Sequence, residues 1–360
     1  MNDMKKRLYA DIHVLQTVPP SCINRDDTGS PKTAVYGGVT RARVSSQAWK
    51  KAVRDMFRAT FEAGDMGVRT KRIQALVADE LRAFGYAEDA DEAAKAILIE
   101  AGLKDKSIAA GSDAPLFFMS RAQAKNLAQL VMDDPKADKK TVQATLNASP
   151  SIDVALFGRM VADTANLNID ASCQVAHAIS THRVTTEYDY FTAVDDYPAE
   201  DKADAGAAMI GTVEYNSATL YRFATIAVHE LCHQLGGAGN AAQAVRLFAD
   251  AFARSMPTGK INTFANRTLP NAMFVALRAD QPLNLVGAFE RPIYARDKGY
   301  VEASAEALVK QANSAVAWIA RPLASLTLGE YLDGIVDADA LESLDGLLSR
   351  LEDELGRVLS

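Results

Sequence analysis

Two groups of residues in this chain have the types and spacing for chemistry. The first is Gln47, Lys50, Lys51, Arg54 and Arg58, which recur at steps of three and four along QAWKKAVRDMFR. On a helix they form one cationic ridge, with Asp55 as the nearby acid. A solvated helix face usually mixes signs to gain i,i+4 pairs, and this one scarcely does. Arg41 and Arg43 precede it, and Ser45 and Ser46 are N-cap residues. Cations beside a capped helix start suit a phosphate. The same pattern also suits a basic but idle surface helix. The upstream loop SCINRDDTGSPK adds Asn24, Arg25 and Lys32. Its Asp26 and Asp27 read either as a turn cap or as a metal or catalytic pair.

The second group is His229-Glu230-Leu231-Cys232-His233, a literal H-E-x-x-H. On a helix such histidines bind zinc and the glutamate acts as general base. The flanking residues argue against it. His229 follows the strand-like run LYRFATIAV, LGGAG closes the segment at once, and no histidine downstream supplies a third ligand. His13, His177 and His182 share no helical face with a partner and read as structural. There is no C-x-x-C, G-x-S-x-G, Walker or dinucleotide signature.

Positioning these groups requires a strand–helix framework. Residues 7–16 and 39–44 read as strands, 17–38 as a long loop and 47–61 as a helix whose Trp49, Ala52, Val53, Met56 and Phe57 face a core. Residues 62–180 are Ala-rich with helical spacing, and 183–219 turn polar like an exposed hairpin. Residues 220–228 and 271–278 read as strands around a helix at 240–255, and 301–360 as mostly helical. A basic loop at 256–270 offers Lys260 as a second anion contact, with Asn262 and Arg267 behind it. The framework suits an α+β domain of βαββαβ type interrupted by two insertions.

The 360 residues allow two or three folding units. The net charge of −7 argues against a simple nucleic-acid binder, but residues 1–60 carry +6 and the remainder −13. Three scattered cysteines point to a reducing, cytoplasmic setting rather than a disulfide framework. The N-terminus reads as a strand and not a signal peptide, and no apolar run is long enough for a membrane span.

The segment PPSCINRDDTGSPKTAVYGGVTRARVSSQAWKKAVR resembles the N-terminal signature of the CasC family, the backbone of the type I-E CRISPR Cascade complex. The likeness continues in CQVAHAISTH, YFTAVDD, GTVEYNSATLYRF, LGGA and PTGKINTFANRTLPNAMFVAL. The resemblance implies an RRM-like (ferredoxin-like) palm from 1–60 and 220–345, helical fingers at 61–182, a thumb hairpin at 183–219 and a C-terminal helix at 346–360. It implies a non-enzyme of the RAMP superfamily that polymerises along CRISPR RNA in antiviral defence. The partners would be that RNA, the target DNA strand paired to it, further copies of the chain and other Cascade subunits, without membrane, cofactor or metal. Carried over by position, its RNA contacts fall on Asn24, Arg25, Lys32, Ser45, Gln47, Lys50, Lys51 and Arg54. Where a relative has a bulky apolar wedge before QVAHAI, this chain has Cys173, and Met209 and Ile210 are the other wedge candidates. The acidic AEDKADAGAA lengthens the thumb. Backbone subunits of other CRISPR types cut RNA with a loop Asp, a role open to Asp26 or Asp27.

Overall fold

The computed structural model describes residues 7–60, 66–109, 111, 114–193, 209–295, 297 and 299–360. A long first strand, β1 (Tyr9–Ser21), leads to a hairpin of β2 (Thr33–Tyr36) and β3 (Val39–Val44) and to helix α1 (Ser46–Thr60). Then come β4 (Gly67–Thr70), α2 (Ile73–Ala83), α3 (Ala90–Glu100), α4 (Asp105–Ile108), β5 (Phe117–Ser120), α5 (Arg121–Asp133), α6 (Lys139–Asn147) and α7 (Ile152–Phe157). Strands β6 (Cys173–Val175), β7 (Ala178–Ser180) and β8 (Glu187–Ala193) precede the longest strand, β9 (Met209–Ala227). The chain closes with α8 (Val228–Leu235), α9 (Ala238–Arg254), α10 (Ile261–Phe264), β10 (Ala272–Arg278), α11 (Val301–Ala315), β11 (Ala324–Gly329), β12 (Ala338–Leu341) and α12 (Leu344–Leu359).

One sheet organises the molecule, in the order β12-β11-β10-β1-β9-β7-β3-β2, with β6 and β8 also paired to β9. All its pairs are antiparallel except β11–β12. β1 is central and covered on both faces, so even the polar members of its alternating ADIHV run, Asp11 and His13, are buried. Leu8, Ala10, Ile12 and Val14 point to one face, against Val245, Phe248 and Phe252 of α9 and Leu347 and Leu351 of α12. The other face presents Leu15, with Tyr221 and Phe223 of β9 and Phe274 of β10, to Leu285, Phe289 and α11. Each such fully buried Leu, Ile or Phe contributes about 1.5–3 kcal/mol.

Helices α2, α3, α5 and α6 enclose a second apolar core around Val77, Leu81, Leu98, Leu127 and Val142. Asp89, Ser120 and Asp138 cap three of these helices, Ser120 in a reciprocal capping box with Gln123. The expected helical insertion is therefore present, but it also contains the β4–β5 pair. The expected loop at 17–38 is shorter than its composition implies. β1 continues through Pro19 and Pro20, where its pairing with β9 shifts register between Val18 and Ser21, and Thr33–Tyr36 pairs with β3. A register shift is one of the few places a strand tolerates proline. The tail is not wholly helical, since β11 and β12 extend the sheet. Among the described residues, no helix is long and apolar enough to cross a membrane.

Candidate nucleic-acid interface

The loop after β1 is a tight, self-bonded turn. Asp26 Oδ1 accepts from the Thr28 hydroxyl at 2.7 Å and from the Thr28 and Ser30 amides at 3.0 Å. The Thr28 hydroxyl holds this carboxyl below the usual range. Asp26 thus caps a turn that presents exposed Arg25. The Lys32 amide donates to Asn24 O at 2.9 Å, and Asn24 Oδ1 accepts from the Ser45 amide at 2.9 Å. Asn24 therefore ties the loop to the start of α1, where the Ser45 hydroxyl caps the Ala48 amide at 3.3 Å.

On α1 the predicted ridge divides. Gln47 and Lys51 are exposed and Lys50 is half-buried, its Nζ 5.8 Å from the Phe157 ring centroid. Lys51 pairs with Asp55 at 2.5 Å. Arg54 does not join them. It is buried, its Nε donating to Asp153 Oδ2 at 3.0 Å and its Nη2 to Gly67 O at 3.1 Å, with the guanidinium 4.5 Å over the Phe118 ring. Asp153 Oδ1 accepts from the Gly67 amide at 2.8 Å and the Ser151 hydroxyl at 2.8 Å. Arg54 is a clasp between α1 and the insertion, not a phosphate contact.

Arg41 is likewise corrected. It is fully buried and donates to Tyr36 O, Ser180 O and Phe289 O at 3.1, 3.1 and 2.8 Å. Arg43 is half-buried, bonded to Thr33 O at 3.0 Å and to His177 Nδ1 at 3.1 Å. Burial, then Arg43 and Lys32, push His177 down, so it is neutral and accepts from Arg43. His13 bonds Tyr221 at 2.8 Å inside the sheet, and His182 accepts from the Thr219 amide and stacks on Tyr300.

The second basic loop docks on the first. A Cβ at Gly259 would lie 2.4 Å from Ile23 O, so only glycine permits this approach. Lys260 follows in a left-handed conformation (φ +46°). Burial raises the Cys22 thiol, Arg25 and Lys260 pull it back, and Glu214 and Asp26 add to the rise. Phe264 meets Tyr215 of β9 with ring centroids 5.7 Å apart. Asn262 and Arg267 are exposed.

The wedge assignment needs correction too. Cys173 is 1% exposed, paired with Ile226 inside the main core, and burial drives its thiol well above the ordinary range. It cannot separate bases. Met160 is 86% exposed, three residues beyond the Phe157 ring that Lys50 overlies. Its signal in the sequence was an apolar residue after Gly158, a helix-ending glycine with φ +73°. On the β8–β9 hairpin, Ile210 is 61% exposed. Phe191 lies over the Gly211 opposite it, where a Cβ would be 2.5 Å from the ring. Met209 opens β9, but its side chain lies outside the described residues, as do 194–208, which include the whole acidic stretch.

The H-E-x-x-H segment does form one continuous helix, α8, contrary to expectation. Yet His229 Nδ1 is engaged by the Leu8 backbone at 3.0–3.2 Å, and its ring packs edge-on against Tyr9. Among the described residues, no three His, Cys, Asp or Glu side chains are grouped to hold a metal.

A family profile described as CT1975-like protein matches residues 10–348. No curated protein sequence matches the chain. A solved structure titled "CRISPR RNA-guided surveillance complex, pre-nicking" contains a chain 32% identical, with TM-score 0.81, over 97% of this chain and 99% of the other. A chain of another "CRISPR RNA-guided surveillance complex" is 27% identical, with TM-score 0.64, over 96% and 98%.

Proposed function

The chain belongs to the CT1975-like, CasC-type backbone family of CRISPR surveillance complexes, and from that premise we propose that it is a non-catalytic backbone subunit of a type I-E Cascade, holding guide RNA by its phosphates. One observation carries the reading: Asn24 ties the loop of Arg25 and Lys32 to the start of α1, and the loop of Gly259 and Lys260 packs on that same loop, which supports a shared phosphate-holding face. Phosphate and sugar contacts suit a subunit that must hold any guide, because they leave base edges free to pair with a target DNA strand.

The strand order β10-β1-β9-β7, with α1 and α9 on one face, supports an RRM-like palm. The core enclosed by α2, α3, α5 and α6 supports a fingers unit, and the β8–β9 hairpin a thumb. Met160, Ile210 and Phe191 are the exposed apolar side chains suited to pushing a nucleotide out of the stack. Further copies of the chain extend along the RNA, with other Cascade subunits at the ends, in the cytoplasm. The test is co-expression with a CRISPR array and the other subunits, followed by purification. Nuclease-sensitive short RNA should travel with several copies of the chain. Purification free of RNA and of the other subunits sinks the reading.

A further inference from the structure

Lys32 and Arg43 face each other where the β2–β3 hairpin begins. The Arg43 amide donates to Lys32 O at 2.9 Å, and the Thr33–Ala42 pair follows in register. Like charges opposite each other on a ribbon repel. Among the described residues no carboxylate pairs with either. The Arg43 guanidinium is met instead by neutral acceptors, Thr33 O at 3.0 Å and His177 Nδ1 at 3.1 Å. The β3–β7 pairing sets Arg43 opposite Ile179, which brings His177 diagonally beside it. His177 is exposed, and Lys32 and Arg43 are half-buried. Arginine only donates, so Nδ1 carries no proton in this contact. An imidazole lone pair thus occupies the place beside two cations that suits an anion.

We infer that a backbone phosphate of the guide RNA displaces His177 Nδ1 from Arg43, and that His177 then takes a proton from solvent and holds the phosphate itself. The inference rests on the guide-RNA reading and adds a residue to its site. A phosphate oxygen accepts from Arg43, Lys32 and the new Nδ1–H together, all charge-assisted bonds. In the chain itself burial, then Arg43 and Lys32, hold the ring neutral. A bound phosphate opposes the push of both cations. The other charged groups on neighbouring elements are committed elsewhere. Arg41 of β3 bonds three carbonyls, and Arg222 of β9 bonds Gln16 and the Phe252 carbonyl. On α1, Lys51 pairs with Asp55 and Lys50 lies over Phe157. Binding therefore consumes a proton, and RNA affinity rises as pH falls.

The test measures the affinity of the full chain for a single-stranded RNA oligonucleotide between pH 8 and 5.5, at fixed salt in phosphate-free buffers. The wild type should bind about three- to tenfold more tightly at pH 5.5 than at pH 7.5, about tenfold for each unit by which binding raises the ring's pKa. His177→Gln offers Arg43 an acceptor that cannot charge, so its profile should vary by less than about twofold. Calorimetry of the wild type at pH 6.5, in two buffers of different ionisation enthalpy, should show net proton uptake on binding. This second measurement needs no variant. A flat wild-type profile, no proton uptake, or a His177→Gln chain that keeps the full pH dependence overturns the inference and leaves the guide-RNA reading standing. A wild type that holds no RNA at any of these pH values removes that reading, and this inference with it.

Discussion

Lys50 and Lys51 lie one turn before Arg54 on α1, with the same charge and opposite fates. The lysines are at or near the surface beside the loop that carries Arg25 and Lys32, whereas Arg54 is sealed against Asp153, Gly67 and Phe118. A cationic ridge read from helical spacing thus divides into a part left at the surface, where the proposed RNA contact lies, and a part that holds the insertion. Removing either member of a buried pair strands the other charge. Arg54→Ala should therefore lower stability by about 3–5 kcal/mol, read from urea midpoints. Asp153→Ala should cost about as much, and the double variant far less than the sum of the two. An Arg54→Ala chain with an unchanged midpoint and lost RNA binding would reverse the assignment.

The buried side of the comparison extends into β1, where Asp11 and His13 share one face of the sheet. Burial raises Asp11 to about 6, against the lesser pull of the Leu283 amide and Arg278, with Asp280 adding to the rise. Burial, then Arg278, lowers His13 to about 3. The folded state thus prefers both groups uncharged. For Asp11, whose folded value is raised, stability is present below pH 4 and is lost as pH rises through about 6. For His13, whose folded value is depressed, stability is lost as pH falls below about 6.5. Between pH 4 and 6 the two slopes oppose, so the pair contributes little net pH dependence there. Asp11→Asn keeps the acceptor for the Leu283 amide and exposes the His13 slope. Its stability should exceed that of the wild type at pH 7.5 by on the order of 2–3 kcal/mol, and fall by about 1.4 kcal/mol per pH unit below pH 6. Denaturation midpoints at four pH values decide it, and parallel curves for the two proteins would reject it.

The contrast shows what local sequence carries. The apolar spacing of Trp49, Ala52, Val53 and Phe57 located α1 within a residue at each end, and the alternation of VTRARV gave β3 its bounds. Both patterns repeat within a few positions. Three of the partners of Arg54 and Arg41, at Asp153, Ser180 and Phe289, are more than ninety residues away in sequence, and no spacing within α1 or β3 announces them. Cys173 was misplaced because β6 is three residues long and its pairing with β9 is non-local. Pro19 and Pro20 read as loop because a register shift is invisible until the partner strand is known.

The exposed half of the ridge should behave as its counterpart does not. Lys50→Gln with Lys51→Gln removes two cations, of which Lys51 has only an exposed Asp55 as ion-pair partner. Exposed pairs contribute about 0–1 kcal/mol, so urea midpoints should barely move. RNA affinity should fall several-fold at low salt, and the slope of log affinity against log salt should flatten by about 1–2. A steep loss of stability in this variant, or an unchanged salt slope, would erase the distinction between the two halves of α1.

The finest form of the comparison sets Cys173 against Met160, one sealed in the core and one almost bare. Cys173→Ala empties part of a packed site beside Ile226 and should cost about 1–2 kcal/mol of stability. It should leave the path of the bound RNA as it was. Met160→Ala removes little buried surface, so stability should stay within about 0.5 kcal/mol. If Met160 wedges a base apart, its truncation lets that base restack, and a 2-aminopurine placed at each guide position in turn should lose fluorescence at one position per subunit. The same signal changing with Cys173→Ala and not with Met160→Ala would move the wedge out of the fingers and back toward β6.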